Sequence, residues 1–361
     1  MSAVMLVTNR ICVPPSGGRE LLCKLNHDVL KDIYGERLTL FELSRRPLRG
    51  VYSVINAFRG RIDGLNETFI AKALKTIETE NVGKVFVDGS NFGGLVKVIK
   101  QEQPDVEVIT FFHNVEARFF LGSLREHRTL HSLAVLVANY LAEGKAVRHS
   151  DKIICLSVRD SRLLQRIYGR LATHVSPMAL QDKLPAVASQ NARNSTGKKF
   201  ALFVGGTFYA NRTGITWFVD QVVPRLRIKT FIVGRGFEDL RSELECEGKV
   251  EVVGAVDSLA EWYRNAHFVI APIFDGSGMK TKVAEALMHG KKIVGTPEAF
   301  SGYEDVADRA GWVCVTADDF VASIASAENE VVNAFDPELR ALYEEKYSYP
   351  AARSRLVEIL N

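Results

Sequence analysis

The densest run of chemically useful residues lies at 272–285, Pro-Ile-Phe-Asp-Gly-Ser-Gly-Met-Lys-Thr-Lys-Val-Ala-Glu. A β-branched apolar stretch precedes it and a helix-period stretch follows, so the loop joins a strand's end to a helix's start. Gly276 and Gly278 let the backbone approach a ligand closely, and the free amides of a helix start carry partial positive charge. Lys280 and Lys282 add full charges, and with those amides they make a site suited to a diphosphate. Glu285, further into the helix, offers two acceptor oxygens to the paired hydroxyls of a ribose. The spacing is not G-x-x-x-x-G-K-[ST], and Gly234-Arg235-Gly236 lacks the third glycine of a dinucleotide fingerprint.

Two further positions carry chemistry. Gly17 and Gly18 follow Pro14-Pro15-Ser16 between the first apolar run and the first helical one. They suit either a plain turn or backbone amides aimed at an anion or a sugar. His113 follows Ile109-Thr110-Phe111-Phe112, just past a strand's carboxyl end. An imidazole there can hydrogen-bond a sugar, act as a base, or be satisfied by neighbouring backbone.

The elements that must position these residues alternate along the chain. In the first half, strands are predicted near 4–7, 38–43, 84–87, 107–112 and 152–156. Helices are predicted near 20–34, 67–80, 94–101, 130–147 and 157–168, the last capped by Ser157. A polar stretch rich in Asn and Ser follows at 181–199 and reads as a linker. The alternation then restarts, with strands near 200–204, 229–233, 250–253, 268–272, 292–295 and 311–315. Helices fall near 214–222, 238–244, 259–265 and 282–288, and a last one near 351–360. This is an α/β chain of two doubly wound, Rossmann-like domains, with a ligand cleft expected between them. The expected boundaries are 1–185, a linker at 186–199, 200–345, and a C-terminal helix at 346–361 that crosses back to the first domain.

Composition bounds the rest. With 361 residues, 47% hydrophobic and 25% charged, the chain has an ordinary globular balance. Its 5 cysteines are odd in number and lack C-x-x-C spacing, which suggests neither a disulfide framework nor a zinc site and fits a reducing compartment. No export signal or membrane-length apolar run is read, so a cytoplasmic protein is expected, on the inner face of a membrane at most. Net charge is +3, split as +7 over residues 1–190 and −4 over 191–361. Between Glu42 and Asp63 there is no acid, but Arg45, Arg46, Arg49, Arg59 and Arg61 alternate with apolar residues. Such a stretch is either a helix with a solvated basic face or a surface for anionic lipid. Nothing suggests a nucleic-acid module.

From Asp275 through Glu285 and on to Ala286-Leu287-Met288-His289-Gly290 and Gly295-Thr296-Pro297, the chain resembles the donor-binding region of family-4 glycosyltransferases of the GT-B fold. Leu202-Phe203-Val204-Gly205-Gly206 with Asn211, Phe231 to Gly236, and Val252 to Val256 with Tyr263 extend the resemblance. In the first half, Phe112-His113-Asn114-Val115-Glu116 and Ser150 to Ser157 do so. The resemblance implies a sugar transferase that takes its sugar from a nucleotide-diphospho-sugar, retains anomeric configuration and needs neither metal nor cofactor. No D-x-D pair is present to hold a divalent ion. It implies a glycan or lipid-linked acceptor, in surface polysaccharide synthesis. It makes Glu285 the ribose ligand and lays Gly276, Gly278, Met279, Lys280 and Thr281 along the diphosphate. Gly17, Gly18, Gly205 and Gly206 also fall on the donor side, and His113 near the donor sugar. The family's first glutamate should stand where Ser277 is, which leaves Asp275 as the acid that would serve in its place. The usual basic residues of the second domain's first loop are also missing, so Lys280 and Lys282 must supply the charge, Lys282 at the β-phosphate. A nucleotide-sugar epimerase on the same plan, or a non-catalytic donor-binding protein, are the competing readings.

Overall fold

The computed structural model describes residues 3–13, 15, 17–43, 51–184, 199–331 and 333–361, and of residues 51–54 only the backbone. Arg45, Arg46 and Arg49 lie outside the described residues, as does nearly all of the stretch expected as a linker. The chain divides into two compact units, one of residues 1–179 with 352–361, the other of residues 180–351.

The first unit holds β1 (Ala3–Asn9), β2 (Leu38–Leu43), β3 (Val82–Asp88), β4 (Glu107–Phe112), β5 (Lys152–Cys155) and β6 (His174–Val175). They form one parallel sheet in the order β2-β1-β3-β4-β5-β6. The second unit holds β7 (Phe200–Val204), β8 (Lys229–Val233), β9 (Val250–Gly254), β10 (Phe268–Ala271), β11 (Ile293–Gly295) and β12 (Gly311–Val313). Their order is β12-β11-β10-β7-β8-β9, again all parallel. Strand order reverses at β1/β3 in one sheet and at β7/β10 in the other, and ligands of open parallel sheets sit beyond the carboxyl ends at such points.

The central strands are apolar throughout because both their faces are covered. Every residue of β7 and of β10 is buried. The helix Thr281–Met288 is buried at all positions after its first, so Lys282 and Glu285 go inside with it. Burying charged groups is costly unless they are partnered, and the partners define the site below. The C-terminal helix Tyr349–Leu360 is tied to the first sheet by its last carbonyls. Lys152 donates to Ile359 O at 2.7 Å, and Lys84 donates to Leu360 O.

The helix Val158–Tyr168 is capped as the sequence suggests: the Ser157 hydroxyl accepts from the Asp160 amide. Glu116–His127, Ala307–Ala310, Ala317–Glu330 and Pro337–Leu342 were not predicted as helices. Ala317–Glu330 opens with a capping box between Thr316 and Asp319, a local signal present in the sequence. Glu116–His127 has Val115 at its N-cap and no local side-chain cap. Its first amides are held instead by Glu143, from the middle of the next helix, Leu130–His149. Residues 238–244, predicted as one helix, form a 3-10 turn Phe237–Leu240 and a short helix Arg241–Leu244.

Candidate active site

In the second unit, two loops leave the carboxyl ends at the β7/β10 reversal. Gly205 and Gly206 follow β7, and residues 272–280 follow β10. Asn211, on the helix Tyr209–Gln221, joins them. Its Nδ2 donates to Gly206 O at 2.7 Å, and its Oδ1 accepts from Lys282 Nζ at 2.9 Å. The same ammonium lies 4.2 Å from the centroid of the Phe203 ring, a cation–π contact. Burial is the main force on Lys282, with repulsion from Lys280 second; against Glu285 they bring its pKa down to about 7. A buried lysine near half-charge is primed to gain its proton when an anion arrives.

Gly205 is required by this packing. A Cβ there would stand 2.6 Å from Asn211 Nδ2 and 3.3 Å from Lys282 Nζ. Both are ends of flexible side chains, so Gly205→Ala is expected to fold and to push the Asn211–Lys282 pair aside. Its Tm should fall by only a few degrees while the dissociation constant for a nucleoside diphosphate rises at least tenfold. Calorimetric titration of both proteins checks this.

Glu285 is buried and accepts from the Tyr263 hydroxyl at 2.9 Å through Oε2. Burial raises its pKa, against the Tyr263 hydrogen bond and the charges of Lys183 and Lys282. Tyr263 is fixed in turn by stacking on His289, with centroids 4.9 Å apart and planes 9° apart. Lys280 donates to Gly278 O at 2.8 Å and to Glu298 Oε1 at 3.0 Å, and its own carbonyl accepts from the Tyr303 hydroxyl at 3.0 Å. Gly276 and Gly278 have φ of 141° and 66°, values that favour glycine. Asp275 is half-buried, and its Oδ1 accepts from the Gly276 amide at 2.8 Å. Met279 is buried beside them, and Thr281 opens the helix, which has no side-chain cap.

In the first unit, the β1/β3 reversal is filled by a buried polar cluster. Asp88, at the end of β3, has no exposure. Its Oδ1 accepts from His113 Nε2 at 2.9 Å and Asn26 Nδ2 at 2.8 Å, and its Oδ2 accepts from Thr8 Oγ1 at 3.0 Å. Burial pushes the carboxyl up, but His113, Cys23 and Asn26 together hold it down at about 2. Cys23, Asp88 and His113 offer atoms within 4.8 Å of one another, close enough to share a metal ion. Gly17 caps the helix Gly18–Tyr34 with φ −163°, an extended conformation open to any residue, and a Cβ there would meet nothing within 4 Å. Arg59 is exposed, and Arg61 pairs with Glu67 at 2.9 Å.

Behind His113 lies a second buried carboxylate. Glu143 accepts from the Glu116 amide at 2.9 Å, the Ala117 amide at 3.1 Å, Ser90 Oγ at 3.1 Å and Tyr168 OH at 2.8 Å. A cavity of about 420 Å³ in the second unit, lined by Lys292, Gly311, Trp312 and Phe335 among others, lies at the amino ends of β11 and β12, away from the β7/β10 reversal.

Comparison with known proteins now bears on these two sites. A family model, glycosyl transferases group 1, matches residues 198–333, the stretch that contains Gly205, Asn211, Tyr263, Lys282 and Glu285. These residues form a glycosyl transferases group 1 domain. No curated protein sequence matches the chain. Among solved structures, sucrose-phosphate synthase from Thermosynechococcus elongatus superposes with a TM-score of 0.74 at 14% identity, covering 99% of this chain and 98% of that one. HepE of Anabaena, solved in complex with UDP and glucose, gives 0.67 at 13% identity over 100% and 99%. The lipopolysaccharide outer core galactosyltransferase WaaB gives 0.67 at 11% identity over 99% of each chain. The fold is GT-B, with two Rossmann-like halves, and the class of the matched domain is glycosyltransferase.

Within the group 1 domain the structure brings together Gly205, Gly206 and Lys282 around Asn211, and Glu285 with Tyr263. Asn211 and Tyr263 appear in the sequence only as points of resemblance, with no role. Glu298 gave no signal, because its tie to Lys280 spans the helix Thr281–Met288 and β11. Asp88, Asn26 and Thr8 gave none either, being single polar residues on separate elements.

Proposed function

We propose that the chain transfers a sugar from a nucleotide-diphospho-sugar to a glycan or lipid-linked acceptor. The carrying observation is Lys282, buried, held by Asn211 over Phe203, and lowered in pKa at an uncapped helix start. The diphosphate lies against the amides of Thr281 and Lys282, between the Lys282 ammonium and the 276–280 loop. The ribose takes the Glu285 oxygen that Tyr263 leaves, Oε1. As the bond from sugar to phosphate breaks, charge grows on the leaving diphosphate, and preorganised amides and the ammonium lower the barrier. The donor domain then corresponds to residues 200–345 and the acceptor side to 1–185. Retention and metal independence follow from the family resemblance, with a leaving-group oxygen assisting the incoming hydroxyl. Asp275 stands in for the family's missing acid, and His113 contacts the transferred sugar. HepE of Anabaena has been solved with UDP-glucose, which makes uridine the first base to test.

A thermal-shift screen against UDP, GDP, ADP, CMP and their sugars tests this reading. A ligand at a hundred times its dissociation constant should stabilise the protein by about 2.7 kcal/mol. A flat response to every nucleotide rejects it. Product analysis then separates transfer from epimerisation and from binding alone.

The acceptor is proposed to be met at a cytoplasmic membrane surface, in polysaccharide synthesis. Among the described residues no helix is long and apolar enough to cross a membrane. The helix Val51–Phe58 exposes Ile55 and Phe58 next to Arg59, an apolar edge beside positive charge. Flotation with anionic vesicles at low salt is expected to carry wild-type protein upward. An Ile55→Ser, Phe58→Ser double variant is expected to stay at the bottom. Wild-type protein that does not float excludes the membrane surface.

A further inference from the structure

We propose that Asp88 is a positioning residue. It fixes His113 as the tautomer with its proton on Nε2, and so presents Nδ1 as a hydrogen-bond acceptor for a hydroxyl of the transferred sugar. This rests on the reading above, that His113 contacts that sugar.

Three observations carry it. First, Asp88 itself is sealed from any substrate: it has no exposure, and donors from three separate elements occupy it. Thr8 comes from β1, Asn26 from the helix Gly18–Tyr34, and His113 from just beyond β4. Whatever Asp88 contributes must pass through one of them. Second, the geometry sets the donor. Asp88 already accepts from Asn26 Nδ2 and Thr8 Oγ1, so in its 2.9 Å contact with His113 the carboxylate accepts and Nε2 carries the proton. The Cys23 thiol lies 3.9 Å from Nε2, but burial pushes its pKa up first and Asp88 adds to that, so it stays a thiol and cannot take this proton. Third, the other ring nitrogen is left open. Among the described residues the buried Nδ1 has no hydrogen-bond partner, although His113 is only 7% exposed and its ring stands edge-on to Phe111 at 5.4 Å. Buried polar atoms are nearly always satisfied, and an exception at a sheet's reversal point calls for a ligand. A neutral imidazole with Nε2–H carries a lone pair on Nδ1, and a sugar hydroxyl is a matching donor.

The test uses Asp88→Asn, which keeps the shape and inverts the pattern. An asparagine amide turned to His113 donates to Nε2 and moves the proton to Nδ1. Long-range 1H–15N spectra of the full chain at pH 8 read the tautomer directly. Wild type is expected to show Nε2–H and Asp88→Asn to show Nδ1–H, with kcat for transfer falling ten- to a hundredfold and donor KM changing less than threefold. In a His113→Ala background, Asp88→Asn is expected to cost no further activity, whereas a merely structural aspartate would still cost it. Should Asp88→Asn fail to fold, Asn26→Ala leaves the carboxylate and removes one anchor from the same oxygen. That variant is expected to mix the two tautomers and lower kcat several-fold. An unchanged tautomer in the folded variant, an imidazolium or Nδ1–H in wild type, or a full kcat with an inverted tautomer overturns the proposal. A wild-type chain that transfers no sugar from any donor defeats the functional reading instead, and the spectra still read the Asp88–His113 assignment.

Discussion

Replacing Lys282 by Met is expected to lower kcat/KM for the nucleotide-sugar by about 10²- to 10³-fold, the usual cost of removing one preorganised donor to a developing anion. The same change is expected to leave Tm unchanged or higher. The desolvation that Lys282 no longer bears offsets the hydrogen bond that Asn211 Oδ1 loses. Loss of function without loss of stability separates a ligand-binding lysine from one that holds the fold. The lysine also predicts a pH signature. Its pKa of about 7 in the free protein means that, above neutrality, a bound diphosphate must first recharge it. Affinity is then expected to fall by up to tenfold per pH unit above 7, until the pKa in the complex is reached. The Met variant should bind weakly at all pH and lack this slope. Titrations between pH 6.5 and 9 check both statements.

The second large effect concerns stability. Glu143→Ala removes the partner of two backbone amides and two hydroxyls in one step. A loss of about 3–5 kcal/mol and a drop in Tm of roughly 10 °C are expected, from unpaired buried groups plus a cavity. Burial, then the charge of Glu116, raises the Glu143 pKa to about 7, against the amide and tyrosine hydrogen bonds. The sign of the linkage follows. Between the unfolded value, about 4.5, and 7, the native state holds a proton that the unfolded state has lost. Stability from this group is therefore full at low pH and declines as pH rises through that window, by on the order of 3 kcal/mol. Glu143→Gln, which cannot titrate, is expected to flatten that decline. Denaturant unfolding at pH 5, 6, 7 and 8 measures it. Because Glu143 anchors the start of the helix that follows His113, the alanine variant is also expected to lose activity below its melting range.

Much of this was legible because it is written in short range. The alternation of β-branched runs with helix-period segments gave both sheets, since a strand covered on both faces must be apolar along its length. β7 and β10 are examples. The 276–285 segment was legible for the same reason: its glycines, lysines and glutamate are neighbours in sequence and in the site. What escaped was made by distant partners. The start of Glu116–His127 is unreadable from Val115, since its cap arrives from Glu143. Nothing near Asp88 says that Thr8, Asn26 and His113 will converge on it; only the strand order β1-β3-β4 does. Lys282 was read as a charge and is a buried, partnered amine, because the helix that carries it is covered on every side. Gly17 needs no glycine for its backbone and has only open space around it.

The measurement that bears most directly on the whole account is a calorimetric titration of the chain with UDP, GDP and ADP at pH 8, repeated in two buffers of different ionisation enthalpy. One of the three is expected to bind saturably with uptake of a proton, and Lys282→Met is expected to abolish that uptake and to weaken binding at least tenfold. Binding with no proton uptake, or an affinity that Lys282→Met and Glu285→Ala leave intact, would place the diphosphate somewhere other than the start of the helix Thr281–Met288.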